Sequence, residues 1–203
     1  MTDDDRKAIE LLQSTLSETI AWHEQVRLAD PAPILAAASA TIRALKAGRQ
    51  LLLFGNGGSA ADAQHVAAEL VGRFQRERAA LSAIALTTDT SILTSIGNDM
   101  AYERIFARQV EALGRQGDVA LGISTSGMSP NVIAGLTAAR SLGLDTVALT
   151  GRDGGDVGRS AAIHINVPAQ STARVQEVHR TLLHVICDIV ERAMAAPLPV
   201  IKV

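Results

Sequence analysis

The stretch Leu51-Leu52-Leu53-Phe54-Gly55-Asn56-Gly57-Gly58-Ser59 decides the fold. Its first four residues are apolar without alternation, the pattern of a short strand covered on both faces. The glycines behind it make a turn, and a helical pattern follows to about Phe74, with Ser59 and Asp62 placed as a capping-box-like start. Gly55, Gly57 and Ala60 also fit the spacing of a dinucleotide fingerprint, but that fingerprint needs an acid about 20 residues on. The nearest suitable acid, Asp89, comes later and follows a long helix. No Gly-Lys-Ser/Thr follows the glycines, so a nucleoside triphosphate loop is not expected.

The same alternation continues toward the C-terminus. Ser82–Leu86, Val119–Ile123, Thr146–Leu149 and Ile163–Val167 read as strands. Helices are expected at Thr90–Ile96, Ala101–Leu113 and Asn131–Leu142, and from Ala173 past Val190. Toward the N-terminus, Ile9, Leu11, Leu12, Leu16 and Ile20 recur at helical spacing over residues 4–25. Asp30-Pro31 starts a second helix, which ends near Lys46 ahead of Gly48. The expected fold class is α/β: a three-layer αβα sandwich with a five-stranded parallel sheet and added N-terminal helices. Ligands of such sheets bind beyond the carboxyl ends of the strands, so the loops after Phe54, Leu86, Ile123 and Leu149 matter most.

At 203 residues, 47% hydrophobic and 20% charged, the chain suits one buried domain. A net charge of −2 gives no cationic bias toward nucleic acid or an anionic membrane. The polar, acidic start carries no signal-peptide pattern, and no apolar run reaches the roughly 18 residues of a transmembrane helix, so a cytoplasmic protein is expected. Cys187 stands alone in an apolar run and reads as a small buried hydrophobe. The last helix carries Val175, Val178, Leu182, Leu183, Val185, Ile186, Ile189 and Val190 over most of its circumference. A second subunit is the expected cover, and the first helix is another candidate interface.

Two kinds of chemistry stand out. Ser124-Thr125-Ser126-Gly127-Met128-Ser129-Pro130 directly follows a strand and clusters hydroxyls ahead of a helix whose N-cap is expected at Ser129. Hydroxyls, backbone N–H groups and a positive helix end would converge there on a phosphate. His65 and Glu69 lie one turn apart on a mostly apolar helix, and His179 and His184 sit in the apolar last helix. A satisfied core histidine is the default for each of the latter two, with His184 the more suspicious. An imidazole and a carboxylate brought together can act as an acid–base pair or hold Zn2+.

Taken together, Gly55-Asn56-Gly57-Gly58-Ser59, the His65/Glu69 pair, Gly97-Asn98-Asp99, Ser124-Thr125-Ser126-Gly127, Leu149-Thr150-Gly151 and Arg174-Val175-Gln176-Glu177-Val178-His179 resemble the phosphoheptose isomerases, in order and over nearly the whole chain. That family has the sugar-isomerase (SIS) fold. The resemblance implies an enzyme converting D-sedoheptulose 7-phosphate to D-glycero-D-manno-heptose 7-phosphate through an enediol, an early step toward lipopolysaccharide or related glycans. It implies a homotetramer with active sites at subunit contacts. A single domain would span 1–203, with oligomerisation helices in 1–48 and the isomerase core in 49–203. The resemblance places one Zn2+ per subunit on His65, Glu69, Gln176 and His184, and an acid/base pair at Glu69 and His184. It places substrate contacts at Asn56, Gly57, Gly58, Ser59, Glu69, Asn98, Asp99, Ser124, Thr125, Ser126, Ser129 and Gln176. This chain departs from some members at Met128, where they carry Asn, and at Ala173, where they carry Asp. Gln176 and His184 would stand about 12 Å apart along a straight helix, so a shared ion requires the Gln side chain to reach down. A non-catalytic relative, a tetramer bound to the bacterial replication initiator, is also similar at Ala63-Gln64-His65 and Ala83-Ile84-Ala85-Leu86. It lacks the acid and the histidine found here at Glu69 and His184.

Overall fold

A computed structural model of the chain describes residues 1–195; the end of the expected domain, 196–203, lies outside the described residues. Two helices come first: α1 (Asp3–Leu28) and α2 (Ala32–Lys46). Thr2 and Asp5 form a reciprocal capping box at the start of α1, and Asp30 accepts the Ala32 N–H at 2.9 Å just ahead of α2. The core then alternates β1 (Leu51–Gly55), α3 (Gly58–Val71), β2 (Ala83–Ala85), α4 (Thr90–Asp99), α5 (Ile105–Leu113), β3 (Val119–Ser124), α6 (Pro130–Ser141), β4 (Asp145–Gly151), α7 (Gly155–Arg159), β5 (Ile163–Val167) and α8 (Thr172–Met194).

The five strands form one sheet in the order β2-β1-β3-β4-β5, and every pairing is parallel. Side chains alternate between the two covered faces. Leu51, Leu53, Val119, Leu121, Ile123, Val147 and Leu149 pack in the layer with α2, α3 and α8. Leu52, Phe54, Ala120 and Ala148 pack in the layer with α5 and α6. That two-sided burial is why β1 and β3 read as unbroken apolar runs. The strand order reverses between β1 and β3, which opens a crevice at their carboxyl ends, where the glycine and serine loops emerge.

Local departures from the sequence reading have physical causes. α3 stops at Val71 rather than Phe74, because the backbone turns away at Gly72 (ψ −108°) and the N–H groups of Phe74, Gln75 and Arg76 go to Glu191 of α8. The helix expected at Ala101–Leu113 is a 3-10 turn at Tyr102–Arg104 followed by α5. Helix α7, with two glycines in five residues, had no apolar period to reveal it. α1 lies along α8 through Thr19 Oγ1–Glu177 (2.9 Å) and His23 Nε2–Thr181 Oγ1 (2.9 Å), and it buries none of its residues completely. Leu11, Leu12 and Ile20 stay 58–69% exposed on its outer side.

Candidate active site

The serine loop folds into a cup at the end of β3. Ser124 Oγ lies 2.8 Å from Ser129 Oγ and 3.3 Å from Ser126 Oγ, and the Met128 N–H donates to Ser126 Oγ at 3.2 Å. The turn depends on Gly127, whose φ of +69° suits a residue without Cβ; a Cβ there would stand 2.5 Å from the Gly154 carbonyl oxygen. Ser129 occupies the N-cap position of α6, but its hydroxyl turns to Ser124 and makes no cap hydrogen bond, which corrects the expected capping role. Thr125 is half-buried on the same loop.

Across the crevice, Gly57 (φ +56°) is the N-cap of α3 and provides no side-chain cap. The capping box expected from Ser59 and Asp62 does not form. Ser59 is inside the helix and buried against Gly55, and Asp62 accepts from Arg180 Nε at 3.0 Å and Nη2 at 2.6 Å. Asn56 and Asn131 exchange amide hydrogen bonds of 2.9 and 2.8 Å, and Tyr102 donates to Asn56 Oδ1 at 3.2 Å. Asn131 is buried, and neither it nor Tyr102 was foreseen, since their only sequence signal is proximity to the loops. With its oxygen accepting twice, Asn56 has one N–H left to offer a ligand. Asn98 and Asp99 stand exposed at the end of α4, joined by a 2.7 Å hydrogen bond from Asn98 Nδ2 to Asp99 Oδ1.

The residues expected to move protons gather elsewhere. His65 and Glu69 face one way from α3, with His65 Nε2 3.3 Å from Glu69 Oε1. His184 of α8 brings its Nε2 to 2.7 Å from His65 Nε2. One donor atom from each of His65, Glu69 and His184 lies within 4.8 Å of the other two. Phe74 stacks on His184, with ring centroids 5.5 Å apart and planes at 28°. Two imidazole nitrogens and a carboxylate oxygen form a donor set suited to a divalent ion such as zinc. His179 takes the other fate: fully buried, its Nε2 donates to the Thr150 carbonyl at 2.9 Å, and burial pushes its pKa down to about 4. Cys187 is buried as expected, and burial, then Glu69 and Glu191, push its thiol up to about 12, away from nucleophilic chemistry.

Gln176 sits on α8 about two turns before His184. Its amide packs on Gly58, where a Cβ would stand 2.8 Å from Gln176 Cδ. His65 is two turns further along α3, about 10 Å away. Gly58, Asp62, Ala173, Gln176, Glu177 and Arg180 line a groove between the starts of α3 and α8.

The SIS-domain family profile matches residues 16–151, so this chain belongs to the SIS-domain family. Within it, the chain is 59% identical over 161 residues to phosphoheptose isomerase of a Roseiflexus species, covering 79% of this chain and 82% of that one. It is 64% identical over 148 residues to phosphoheptose isomerase of Aquifex aeolicus, covering 73% and 78%. The solved structure of phosphoheptose isomerase from Neisseria gonorrhoeae superposes with a TM-score of 0.86 at 43% identity, over 91% of this chain and 99% of that one. The chain belongs, more narrowly, with the phosphoheptose isomerases.

Proposed function

We propose that the protein interconverts D-sedoheptulose 7-phosphate and D-glycero-D-manno-heptose 7-phosphate through an enediol. The observation that carries this reading is the meeting of Glu69 and His184, from distant parts of the chain, in a molecule whose relatives are phosphoheptose isomerases. Ser124, Thr125, Ser126 and Ser129 hold the phosphate, and that remote binding energy orients the reacting end. Asn56, Gly57, Gly58, Ser59, Asn98, Asp99 and Gln176 complete the substrate contacts, Asn56 through its one free N–H.

Glu69 and His184 share the proton work. One takes a proton from C1 while the C2 carbonyl oxygen gains one, giving the enediol. The C1 hydroxyl then loses its proton as C2 receives one, and the aldose results. His65, Glu69 and His184 would hold one Zn2+, with Gln176, about two turns before His184 on α8, as a further donor. When bound, the ion would polarise the substrate's C1 and C2 oxygens.

On one chain the serine cup lies at the carboxyl edge of the sheet, while His65 and Glu69 lie two to three turns down α3. We therefore place a complete site at contacts within a homotetramer, with the exposed stripe of α1 and residues 1–48 forming part of those contacts. No helix among the described residues is long and apolar enough to cross a membrane, and a cytoplasmic role in supplying heptose for lipopolysaccharide follows from this reading. A non-catalytic tetramer bound to the replication initiator is not favoured, because both acid–base residues are present and adjacent. Incubating the purified protein with sedoheptulose 7-phosphate tests the proposal: the aldose phosphate should appear, and its absence in zinc-supplied protein would overturn the reading.

A further inference from the structure

Glu191 lies on α8 two turns beyond His184 and has no solvent exposure. An isolated carboxylate there would be costly, and this one is fully engaged. Its Oε1 accepts the Phe74 N–H at 2.9 Å, and its Oε2 accepts the N–H groups of Gln75 and Arg76 at 2.8 and 2.9 Å. Arg78 Nε stands 3.3 Å from Oε1, close enough for an ion pair though not aligned as a hydrogen bond. Burial alone would raise the Glu191 pKa, yet the three backbone N–H groups and Arg78 hold it lowered, so it stays a carboxylate.

Two links run from this carboxylate to the His–Glu–His group. The first passes through Phe74, whose backbone Glu191 holds and whose ring stacks on His184. The second passes through Arg78, which donates from Nη2 to the Glu69 carbonyl at 2.7 Å and from Nη1 to the Gly72 carbonyl at 3.2 Å, tying down the end of α3. α3 carries His65 and Glu69, and α8 carries His184, so Glu191 joins the two helices just below the site.

We propose that Glu191 is a positioning residue for the isomerase site, acting through Phe74 on His184 and through Arg78 on Glu69. The inference rests on the assignment of Glu69 and His184 as the acid–base pair. Partners that hold site residues in place are worth about 10- to 100-fold in activity or metal affinity. Loss of Glu191 should therefore lower kcat with little change in KM, since the serine cup is remote from it.

The test compares E191Q, F74L and the double variant well below each melting temperature, in zinc-supplied protein for turnover and in metal-stripped protein for Zn2+ titration calorimetry, a readout independent of turnover. E191Q should lose about 10- to 100-fold in kcat and bind Zn2+ more weakly. F74L keeps the Glu191 cradle but trims a side chain partly buried against the core, so its melting temperature should fall by only a few degrees while kcat falls. The double variant should fall little below E191Q, because the Phe74 link that F74L breaks is already broken in E191Q. Folded E191Q with wild-type kcat and Zn2+ affinity, or losses that multiply independently, would overturn the inference. Should E191Q not fold, F74L decides: an unchanged kcat overturns the proposal. E69Q and H184A run alongside, and wild-type turnover in either would refute the acid–base assignment instead.

Discussion

Replacing Glu69 with Gln separates chemistry from stability, because the structure sets different sizes for the two effects. The Glu69 side chain is 20% exposed and that of His65 39%, at a separation of 3.3 Å. A partly exposed pair of this kind contributes about 0–1 kcal/mol, and the amide fills nearly the same volume. For a domain of this size that amounts to a fall of at most about 4 °C in melting temperature. Removing a group that moves the substrate proton costs far more: about 100- to 10,000-fold, or roughly 3–5 kcal/mol of barrier. The assay is turnover of sedoheptulose 7-phosphate followed by NMR, with thermal unfolding of the same preparation. Activity within tenfold of wild type would refute the role given to Glu69. A melting point more than about 10 °C lower would show that the substitution acts through the fold, contrary to the pair's small stability contribution.

Other outcomes follow from the same geometry. His179, neutral in the fold with its pKa lowered from 6.5 to about 4, should add stability that is present above pH 6.5 and is lost as pH falls toward 4. The amount is about 3 kcal/mol, and the slope of melting temperature against pH over that window should flatten in His179→Gln. Ser124→Ala removes the hydroxyl shared by Ser126 and Ser129, and KM for the sugar phosphate should rise about tenfold, with a smaller change in kcat; an unchanged KM would place the phosphate elsewhere. Gly58→Ala puts a methyl group 2.8 Å from Gln176 Cδ, so it should impair turnover much as Gln176→Ala does, and the two losses should not add when combined.

The sheet was legible because burial on both faces leaves a direct mark: Leu51–Phe54 is apolar at every position, and all four residues are buried. The crevice was legible for a related reason, since glycine and hydroxyl runs follow the two strands between which the order reverses. Interactions between distant residues were not legible. Phe74 extends the helical period of α3, but the backbone there is claimed by Glu191, more than a hundred residues away in sequence. His179 and His184 both sit in apolar surroundings, and the sequence favoured His184 as the functional one without naming the partner of either; the structure turns His179 toward the Thr150 carbonyl and His184 toward α3. Ser129 has the residue type and position of an N-cap, yet a neighbouring hydroxyl outcompetes the helix for its side chain. The likeness to the phosphoheptose isomerases supplied the roles of the site residues, which spacing alone left open.

In the proposed mechanism Glu69 and His184 pass protons to and from the sugar carbons. Running the isomerisation in deuterium oxide and reading C2 of the aldose phosphate by NMR tests it directly. Deuterium is expected at C2, because a proton held on Glu69 or His184 exchanges with solvent before it is returned. Complete retention of protium at C2, carried over from C1, would mean a hydride shift or a proton shielded from solvent throughout, and would contradict an exchangeable proton on either residue.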